Sequence, residues 1–176
     1  MRILIAYGTS EGQTRKIANK VATRMHELGH DAHLFDTASL EETDVGSYDK
    51  VIVAGSVHQQ RHQQSVEVFV MASSAELQGR PTLFLSVSLS TAFPDGISEA
   101  QSYVDEFLVS TGWKPTESLL VAGALRYDEY DYFKAQIIEH VVLKRREVAA
   151  AKGDYEFTDW DALFRTVESF VRGEGR

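Results

Sequence analysis

The sequence predicts a doubly wound α/β domain with one five-stranded parallel sheet in the strand order 2-1-3-4-5. Three observations predict it. Short apolar runs alternate with stretches of helical periodicity, the runs end at glycines or polar loops, and no internal repeat interrupts the pattern. Strands that alternate with helices form parallel sheets covered on both faces. Because 176 residues suit one domain of ordinary size, we expect residues 1–176 to form a single domain.

Five runs rich in branched apolar residues are the predicted strands. They are Arg2–Tyr7, His30–Phe35, Lys50–Ala54, Thr82–Val87 and Ser118–Ala122. Gly8, Gly55 and Gly123 follow three of them directly and are expected to end those strands.

Apolar residues at helical spacing predict amphipathic helices between and after the strands. The first runs from about Ile17 to Leu28 and should end at Gly29, while Thr158 is expected to cap the last, with Asp161 as a weaker partner. Trp113 and Trp160 are expected to pack in the core. A helical insertion, about residues 126–157, should lie before the last helix at the carboxyl edge of the sheet, where this architecture binds ligands.

Composition and charge exclude several classes of function. The formal charge of −8, from 26 acidic and 18 basic residues, argues against a nucleic-acid binder, which needs a basic surface. With no cysteine there is no disulfide framework, thiolate metal site or cysteine nucleophile, so redox chemistry would need a bound cofactor. Met1-Arg2 runs straight into the first strand, which predicts no signal peptide and a cytoplasmic location.

The turn after the first strand is rich in hydroxyl groups. It reads Gly8-Thr9-Ser10-Glu11-Gly12-Gln13-Thr14 and joins a strand to a helix within a few residues. Backbone N–H groups and the helix dipole favour an anion at such a position, and Gly12 would allow close backbone approach. The sequence therefore predicts a phosphate monoester held by neutral donors, with a simple polar turn as the alternative.

Other site patterns fit less well. Gly12 is followed by Gln13-Thr14, not by the Lys-Ser/Thr of a Walker A loop, and the dinucleotide fingerprint would need a third glycine. His26-Glu27-Leu28-Gly29-His30 matches a zinc-peptidase pattern, but a helix ending at Gly29 would separate the two histidines. No metal site is predicted.

Three segments together resemble one family. Thr9-Ser10-Glu11-Gly12-Gln13-Thr14 resembles the phosphate loop of flavodoxins. Ala122-Gly123-Ala124-Leu125-Arg126-Tyr127 and Tyr155-Glu156-Phe157-Thr158-Asp159-Trp160 add a closer likeness, which covers almost the whole chain. The sequence resembles the flavodoxin-type, menaquinone-dependent protoporphyrinogen dehydrogenase family.

The resemblance implies an FMN-dependent oxidation of protoporphyrinogen IX in haem synthesis, with a quinone as electron acceptor. It implies that FMN is held by four segments at the carboxyl edge of the sheet. These are Thr9, Ser10, Glu11, Gly12, Gln13 and Thr14; Ser56, Val57 and His58; Ser86, Val87, Ser88 and Leu89; and Gly123, Ala124, Leu125, Arg126 and Tyr127.

Cationic side chains are the candidates for the propionates of such a substrate, and no general base can be assigned. The substrate candidates are Arg61, His62, Arg126, Lys144, Arg145 and Arg146. For the two histidines His58 and His62, contact with the ring or an anionic substrate and a solvated polar loop remain equal alternatives. The likeness also implies weak peripheral contact with the inner face of a membrane.

Two alternatives keep the cofactor but change the reaction. A flavodoxin-like carrier would shuttle electrons between redox proteins, which the acidic start of the insertion, Asp128-Glu129-Tyr130-Asp131, fits. A quinone or flavin reductase would oxidise another small reductant.

Overall fold

The computed structural model describes residues 1–125 and 155–174, and it confirms the predicted parallel α/β sheet. The strands are β1 Arg2–Gly8, β2 Asp31–Asp36, β3 Lys50–His58, β4 Arg61–His62, β5 Thr82–Ser88, β6 Glu117–Ala122, β7 Ala124–Leu125 and β8 Tyr155–Glu156. The helices are α1 Gln13–Glu27, α2 Gln64–Ala72, α3 Ser74–Gln78, α4 Ile97–Thr111 and α5 Trp160–Arg172.

The main sheet has the order β2-β1-β3-β5-β6, and these five strands are all parallel. This is the predicted order 2-1-3-4-5 of the five long strands. The predicted strand count is one too low, because β4 pairs antiparallel with β3 and makes a six-stranded sheet. A strand of two residues is too short to show periodicity in the sequence. The pair β7 and β8 forms a separate antiparallel ribbon.

Strand β3 also runs further than expected. It continues through Gly55 to His58, because Gly55 and Ser56 stay in register with Ser86 and Val87 of β5. A Cβ at Gly55 would lie 3.3 Å from Cδ2 of His62, so glycine serves a close approach here and does not end the strand.

Helices cover the sheet on both faces, and successive residues of β1 point to opposite sides. Ile3 and Ile5 face α1 and α5, whereas Leu4 faces α2 and α4. On the α2 and α4 side, the fully buried Phe84 stacks on Phe107 at 4.9 Å between ring centroids. Truncating such a core aromatic to alanine typically costs roughly 3–5 kcal/mol. The two packed layers fix the ends of the strands, which carry the site described below.

Several local predictions can be compared with the structure. Gly29 has φ +81 just after α1, and Trp113 is buried, both as predicted. Asp159, not Thr158, caps α5, since its carboxylate accepts the Ala162 N–H at 2.9 Å. Trp160 is only partly buried at the edge of the core.

The two histidines of the zinc-peptidase pattern, His26 and His30, contact each other at the end of α1. Helix α1 ends at Glu27, and His26 Nδ1 lies 3.1 Å from the His30 carbonyl oxygen. Within residues 1–125 and 155–174, no group of three or more histidine or carboxylate side chains is arranged to hold a metal ion.

Candidate functional site

Four chain segments form a cleft at the carboxyl edge of the sheet. The registers Gly8↔Gly55, Ser56↔Val87 and Ser88↔Ala122 bring the ends of β1, β3, β5 and β6 side by side. The cleft is lined by Thr9, Ser10, Glu11, Gln13, Thr14, Ser56, Val57, His58, Val87, Ser88, Leu89, Gly123 and Ala124. Every one of these residues is among those predicted to bind the cofactor.

The phosphate loop, residues Gly8–Thr14, depends on two glycines for different reasons. A Cβ at Gly8 would lie only 2.4 Å from Cγ2 of Val66, so the start of the loop has no room for a side chain. Gly12 has φ +90 in the left-handed region, where its Cβ would meet nothing within 4 Å. Conformation and not close approach therefore requires glycine at position 12. The Gly12 N–H donates to Thr9 Oγ1 at 2.9 Å, which closes the loop.

Two hydroxyl groups of the cleft are buried without a partner. Thr14 Oγ1, in the first turn of α1, and Ser56 Oγ, near the end of β3, make no hydrogen bond to any described residue. Leaving a buried polar group unsatisfied costs roughly 1–3 kcal/mol, so such groups call for an explanation. Both residues line the cleft, and a bound ligand with acceptor oxygens would satisfy them.

The start of α1 suits an anion. Helix N-terminal N–H groups and the macrodipole favour negative charge there. The first turn of α1, all of whose residues the structure describes, holds no acidic side chain that would already place a negative charge there. The loop thus fits a phosphate monoester held by neutral donors, as the sequence predicts.

The second wall is a tight hairpin, residues Ser56–His62, that joins β3 to β4. Val57 pairs with His62 and His58 with Arg61, which leaves Gln59 and Gln60 as a two-residue turn. Their φ values are +49 and +66, so two residues with side chains occupy the left-handed region in succession. Such two-residue hairpin turns strongly prefer Asn-Gly, because each left-handed residue with a side chain is strained by roughly 1–2 kcal/mol.

The hairpin and the phosphate loop approach each other across the cleft. His58 Nδ1 lies 3.9 Å from Glu11 Oε1, and neither side chain is fully buried. A protonated His58 would form an ion pair with this carboxylate. The contact places a titratable group at the mouth of the cleft.

The end of β5 is tied to its neighbours by Ser88. The Ser88 hydroxyl contacts Thr91 Oγ1 at 2.8 Å and accepts the Thr91 N–H at 3.3 Å. Its carbonyl accepts the Gly123 N–H at 3.0 Å. This bond joins the cleft segment at the end of β5 to the segment that follows β6.

Gln13 connects the phosphate loop to the segment before α5. Its Nε2 donates to Thr158 Oγ1 at 3.0 Å, and that hydroxyl donates to the Ala122 carbonyl at 2.7 Å. The role of Thr158 could not be read from the sequence, where a hydroxyl before a helix predicts a cap.

Glu156 is the centre of a second connection. It accepts hydrogen bonds from Lys16, from Trp160 Nε1 at 2.9 Å and from Gln13 Nε2 at 3.2 Å. Partial burial acts to raise the pKa of Glu156, but the three donors together hold that pKa below its usual value. Helix α1 is thereby fastened to β8.

Some predicted cofactor residues do not line the cleft. Ser86 is fully buried with its hydroxyl 2.9 Å from His62 Nε2, and Leu125 is also fully buried. Gly12, in the phosphate loop, determines the conformation of the loop but does not itself line the cleft. Arg126 and Tyr127, together with the substrate candidates Lys144, Arg145 and Arg146, lie outside the described residues.

The structure corrects the expectations for His62. The ring is 8% exposed, and its Nε2 lies 2.9 Å from Ser86 Oγ. It packs against both Phe84 and Phe107, at 5.2 and 4.9 Å between ring centroids. Burial lowers its pKa to about 4, so the imidazole is neutral at physiological pH. His62 therefore belongs neither to a solvated loop nor to an anion site, whereas Arg61 is exposed, 4.0 Å from Glu67 Oε2.

A larger groove of about 460 Å³ lies on the far side of the hairpin, against α4. Arg61, Glu67, Asp105 and Glu106 are its charged groups. None of the unpartnered buried side-chain atoms found in the described residues lines it. The smaller cleft is the better candidate, because it combines strand ends, a helix N-terminus and unsatisfied donors.

Comparison with known proteins finds relatives that match almost the whole chain. The curated relatives include protoporphyrinogen IX dehydrogenase (quinone) of Escherichia coli strain K12, 29% identical over 93% of this chain and 91% of that protein. A protein of the same name from Leishmania major is 24% identical over 97% of this chain and 74% of that protein.

Solved structures share the fold at low sequence identity. Oxidised flavodoxin 1 from Bacillus cereus superposes with a TM-score of 0.58 at 14% identity, covering 98% of both chains. Fusobacterium nucleatum flavodoxin bound to flavin mononucleotide gives a TM-score of 0.51 at 13% identity, covering 99% of both chains. The family model described as flavodoxin domain matches residues 4–149. With that match over most of its length, the chain belongs to the flavodoxin domain family.

Proposed function

We propose that this chain is an FMN-dependent oxidoreductase that oxidises protoporphyrinogen IX and passes the electrons to a quinone. The observation that carries the proposal is the likeness to the Escherichia coli protoporphyrinogen IX dehydrogenase (quinone), which extends over 93% of this chain. The cleft supports it independently, because its loop, its buried hydroxyls and its helix N-terminus suit the phosphate of FMN.

Each wall of the cleft has a part in holding the cofactor. Thr9–Thr14 would bind the phosphate through backbone N–H groups and hydroxyls. The phosphate would give Thr14 Oγ1 the hydrogen-bond partner that it lacks among the described residues. The isoalloxazine ring would lie between Ser56–His58 and Val87–Leu89, with Gly123 and Ala124 beside it. The family likeness also implies Arg126 and Tyr127 for this role, and both lie outside the described residues.

Bound FMN would supply the two-electron acceptor, because no side chain of a cysteine-free chain cycles electrons readily. The chain's residues orient the ring, exclude water from one side of it and hold protons near the mouth of the cleft. His58 and Glu11 are the titratable groups placed there.

The substrate is expected to meet the open mouth of the cleft. Arg61 is exposed on the returning strand of the hairpin, and its guanidinium would be a suitable bidentate partner for a propionate that extends past the hairpin. Arg126 and the cluster Lys144-Arg145-Arg146 are the other proposed contacts. His62 is withdrawn from this set because it is buried.

The quinone acceptor brings the chain to a membrane surface in this proposal. No helix within the described ranges is long and apolar enough to cross a bilayer. Weak peripheral contact at the inner face, which the family likeness implies, is part of the proposal, and cosedimentation with quinone-containing anionic vesicles would measure it.

The function is tested on purified full-length protein in two steps. First, titration with FMN and the visible absorption spectrum measure cofactor binding, and a protein that takes up no FMN contradicts the whole proposal. Second, the holoprotein is mixed with protoporphyrinogen IX and a menaquinone analogue under anaerobic conditions. Quinone-dependent porphyrin formation is expected. A holoprotein that exchanges electrons with a reductase but forms no porphyrin would instead be a carrier.

A further inference from the structure

The hairpin Ser56–His62 has one side in the cleft and the other in the core. Ser56, Val57 and His58 line the cleft, while the returning strand β4 ends in the buried His62. Its turn is strained, because Gln59 and Gln60 both have positive φ values. A strained two-residue turn persists only where surrounding contacts determine its conformation.

The side chain of His62 provides such contacts. It is hydrogen-bonded to Ser86, which is fully buried on β5, one residue before the part of β5 that lines the cleft. The ring packs on Phe84 and Phe107, and Gly55 leaves the space that the ring fills.

Other contacts of the hairpin are weaker. Two residue pairs join β3 to β4, and the Gln63 N–H donates to the Ser56 carbonyl at 3.2 Å. The ion pair of Arg61 with Glu67 is 4.0 Å long, and the Arg61 side chain is 78% exposed. Ion pairs that are this long and this exposed contribute little to stability. The buried imidazole is therefore the main side-chain anchor of β4 among the described contacts.

We propose that His62 is a positioning residue for the cofactor: through Ser86 it holds the hairpin in the conformation in which Ser56, Val57 and His58 line the cleft. This inference rests on the proposed function only in naming FMN as the ligand. His62 does not line the cleft, and its effect would be transmitted by the backbone pair of Val57 with His62.

The expected effect follows from the fraction of molecules whose hairpin is in place. Apparent affinity falls in proportion to the fraction in the binding-competent conformation. Without the hydrogen bond to Ser86 the strained turn at Gln59 and Gln60 is no longer held in place, so a share of the molecules adopts a relaxed hairpin. We expect about a tenfold rise in the Kd for FMN.

The experiment compares four variants of the full chain with the wild type. His62→Leu removes the hydrogen bond at similar volume, and His62→Gln restores a donor that can reach Ser86. His62→Leu with Ser86→Ala removes both partners, which largely restores stability without restoring the anchor. Leu77→Val, at the buried position of α3, is the control for a general loss of stability.

Three readouts are taken at pH 7, well below the unfolding temperature of each variant: the Kd for FMN, the shape of the visible flavin band, and the free energy of unfolding. We expect a tenfold weaker Kd and an altered band for His62→Leu and for the double variant. His62→Gln should stay within threefold of the wild type, and Leu77→Val should keep both wild-type values.

Other results would overturn the inference. A wild-type Kd in His62→Leu, or a Kd that recovers in the double variant along with its stability, would make His62 an ordinary core residue. Equal losses of affinity in His62→Leu and Leu77→Val would have the same meaning. If wild-type protein binds no FMN, the proposed function fails first, and the two failures are thus distinguishable.

Discussion

The two loops that face each other across the cleft are built on opposite principles. The phosphate loop places glycine at its left-handed position, Gly12, and closes on itself through Thr9. The hairpin places two glutamines at left-handed positions and depends on the distant pair of His62 and Ser86. The phosphate loop is closed by a hydrogen bond between two of its own residues, whereas the hairpin is held by a contact with a residue outside it.

This difference has consequences for stability and for binding. A loop whose conformation is intrinsic can be preformed, so substitutions in it should act directly on the ligand or on the fold. A strained loop has a competing relaxed conformation, so substitutions far from the ligand can change its affinity. The predictions below separate these two behaviours.

Gly8→Ala should have the largest effect. The added Cβ would overlap Cγ2 of the fully buried, stiff Val66 side chain, and we expect a loss of about 3 kcal/mol in the free energy of unfolding, measured in urea. Gly79→Ala is the matched control, because its Cβ would make only ordinary contacts at 3.7 Å or more. A Gly8→Ala protein as stable as the control would show that the loop adapts freely.

The hairpin should be the acid-sensitive side of the cleft. Burial lowers the pKa of His62 to about 4, below the ordinary unfolded value of about 6.5. The unfolded chain therefore binds more protons in this window, and stability is complete above pH 6.5 and lost as the pH falls toward 4. By the linkage of 1.36 kcal/mol per pKa unit, the loss approaches about 3 kcal/mol.

The matched variant for this pH dependence is His62→Gln, which cannot titrate. Its unfolding free energy, measured in urea without cofactor from pH 7 to pH 4, should lack this part of the decline. The depressed pKa of Glu156 acts at lower pH, since stability from a carboxylate is lost only as the pH falls below its ordinary value. Parallel curves for both proteins would contradict the burial of a neutral imidazole.

Thr14→Val should separate binding from folding in the phosphate loop. The hydroxyl has no described partner, so an isosteric methyl should leave the stability of the cofactor-free protein unchanged or slightly raised. A hydrogen bond to a charged group contributes roughly 1.5–3 kcal/mol, so the Kd for FMN should rise at least tenfold. Thr23→Val, on the exposed side of the same helix, should change neither value.

The smallest effect is expected from exchanging the turn residues. Gln60→Gly removes the side chain from a left-handed position and should raise the free energy of unfolding by about 1 kcal/mol, whereas Gly12→Ala should lower it by about 1 kcal/mol.

In the Gln60→Gly background, His62→Leu should weaken FMN binding less than it does alone, because the turn no longer resists its native conformation. An equal loss of FMN affinity in both backgrounds would show that strain in the turn does not contribute to the effect of His62→Leu.

Local periodicity predicted most of the fold. The alternation of apolar runs with helical stripes predicts the strand order, since parallel strands joined by helices have few arrangements. The phosphate loop was predictable for a similar reason, because glycines and hydroxyls between a strand and a helix act locally. All thirteen residues that line the cleft lie at loops or strand ends that this pattern identifies.

What the sequence could not predict depends on contacts between distant residues. His62 and Ser86 are 24 positions apart, and each alone looks like a residue directed at a ligand. Thr158 resembles a helix cap but donates to a strand end 36 positions earlier. Strand β4 consists of two residues in a polar stretch, and only its pairing with β3 identifies it.

The ribbon of β7 and β8 has a consequence for the evolution of this chain. Leu125 pairs with Tyr155, so the residues on either side of positions 126–154 are neighbours in space. Glu156 and Thr158 fasten the returning strand to α1 and to the end of β6. Because loop-closure entropy grows only slowly with length, such a stem tolerates insertions and deletions. A change in the length of the segment between Leu125 and Tyr155 would therefore add little to the entropic cost of closing the ribbon and would leave the cleft residues in place.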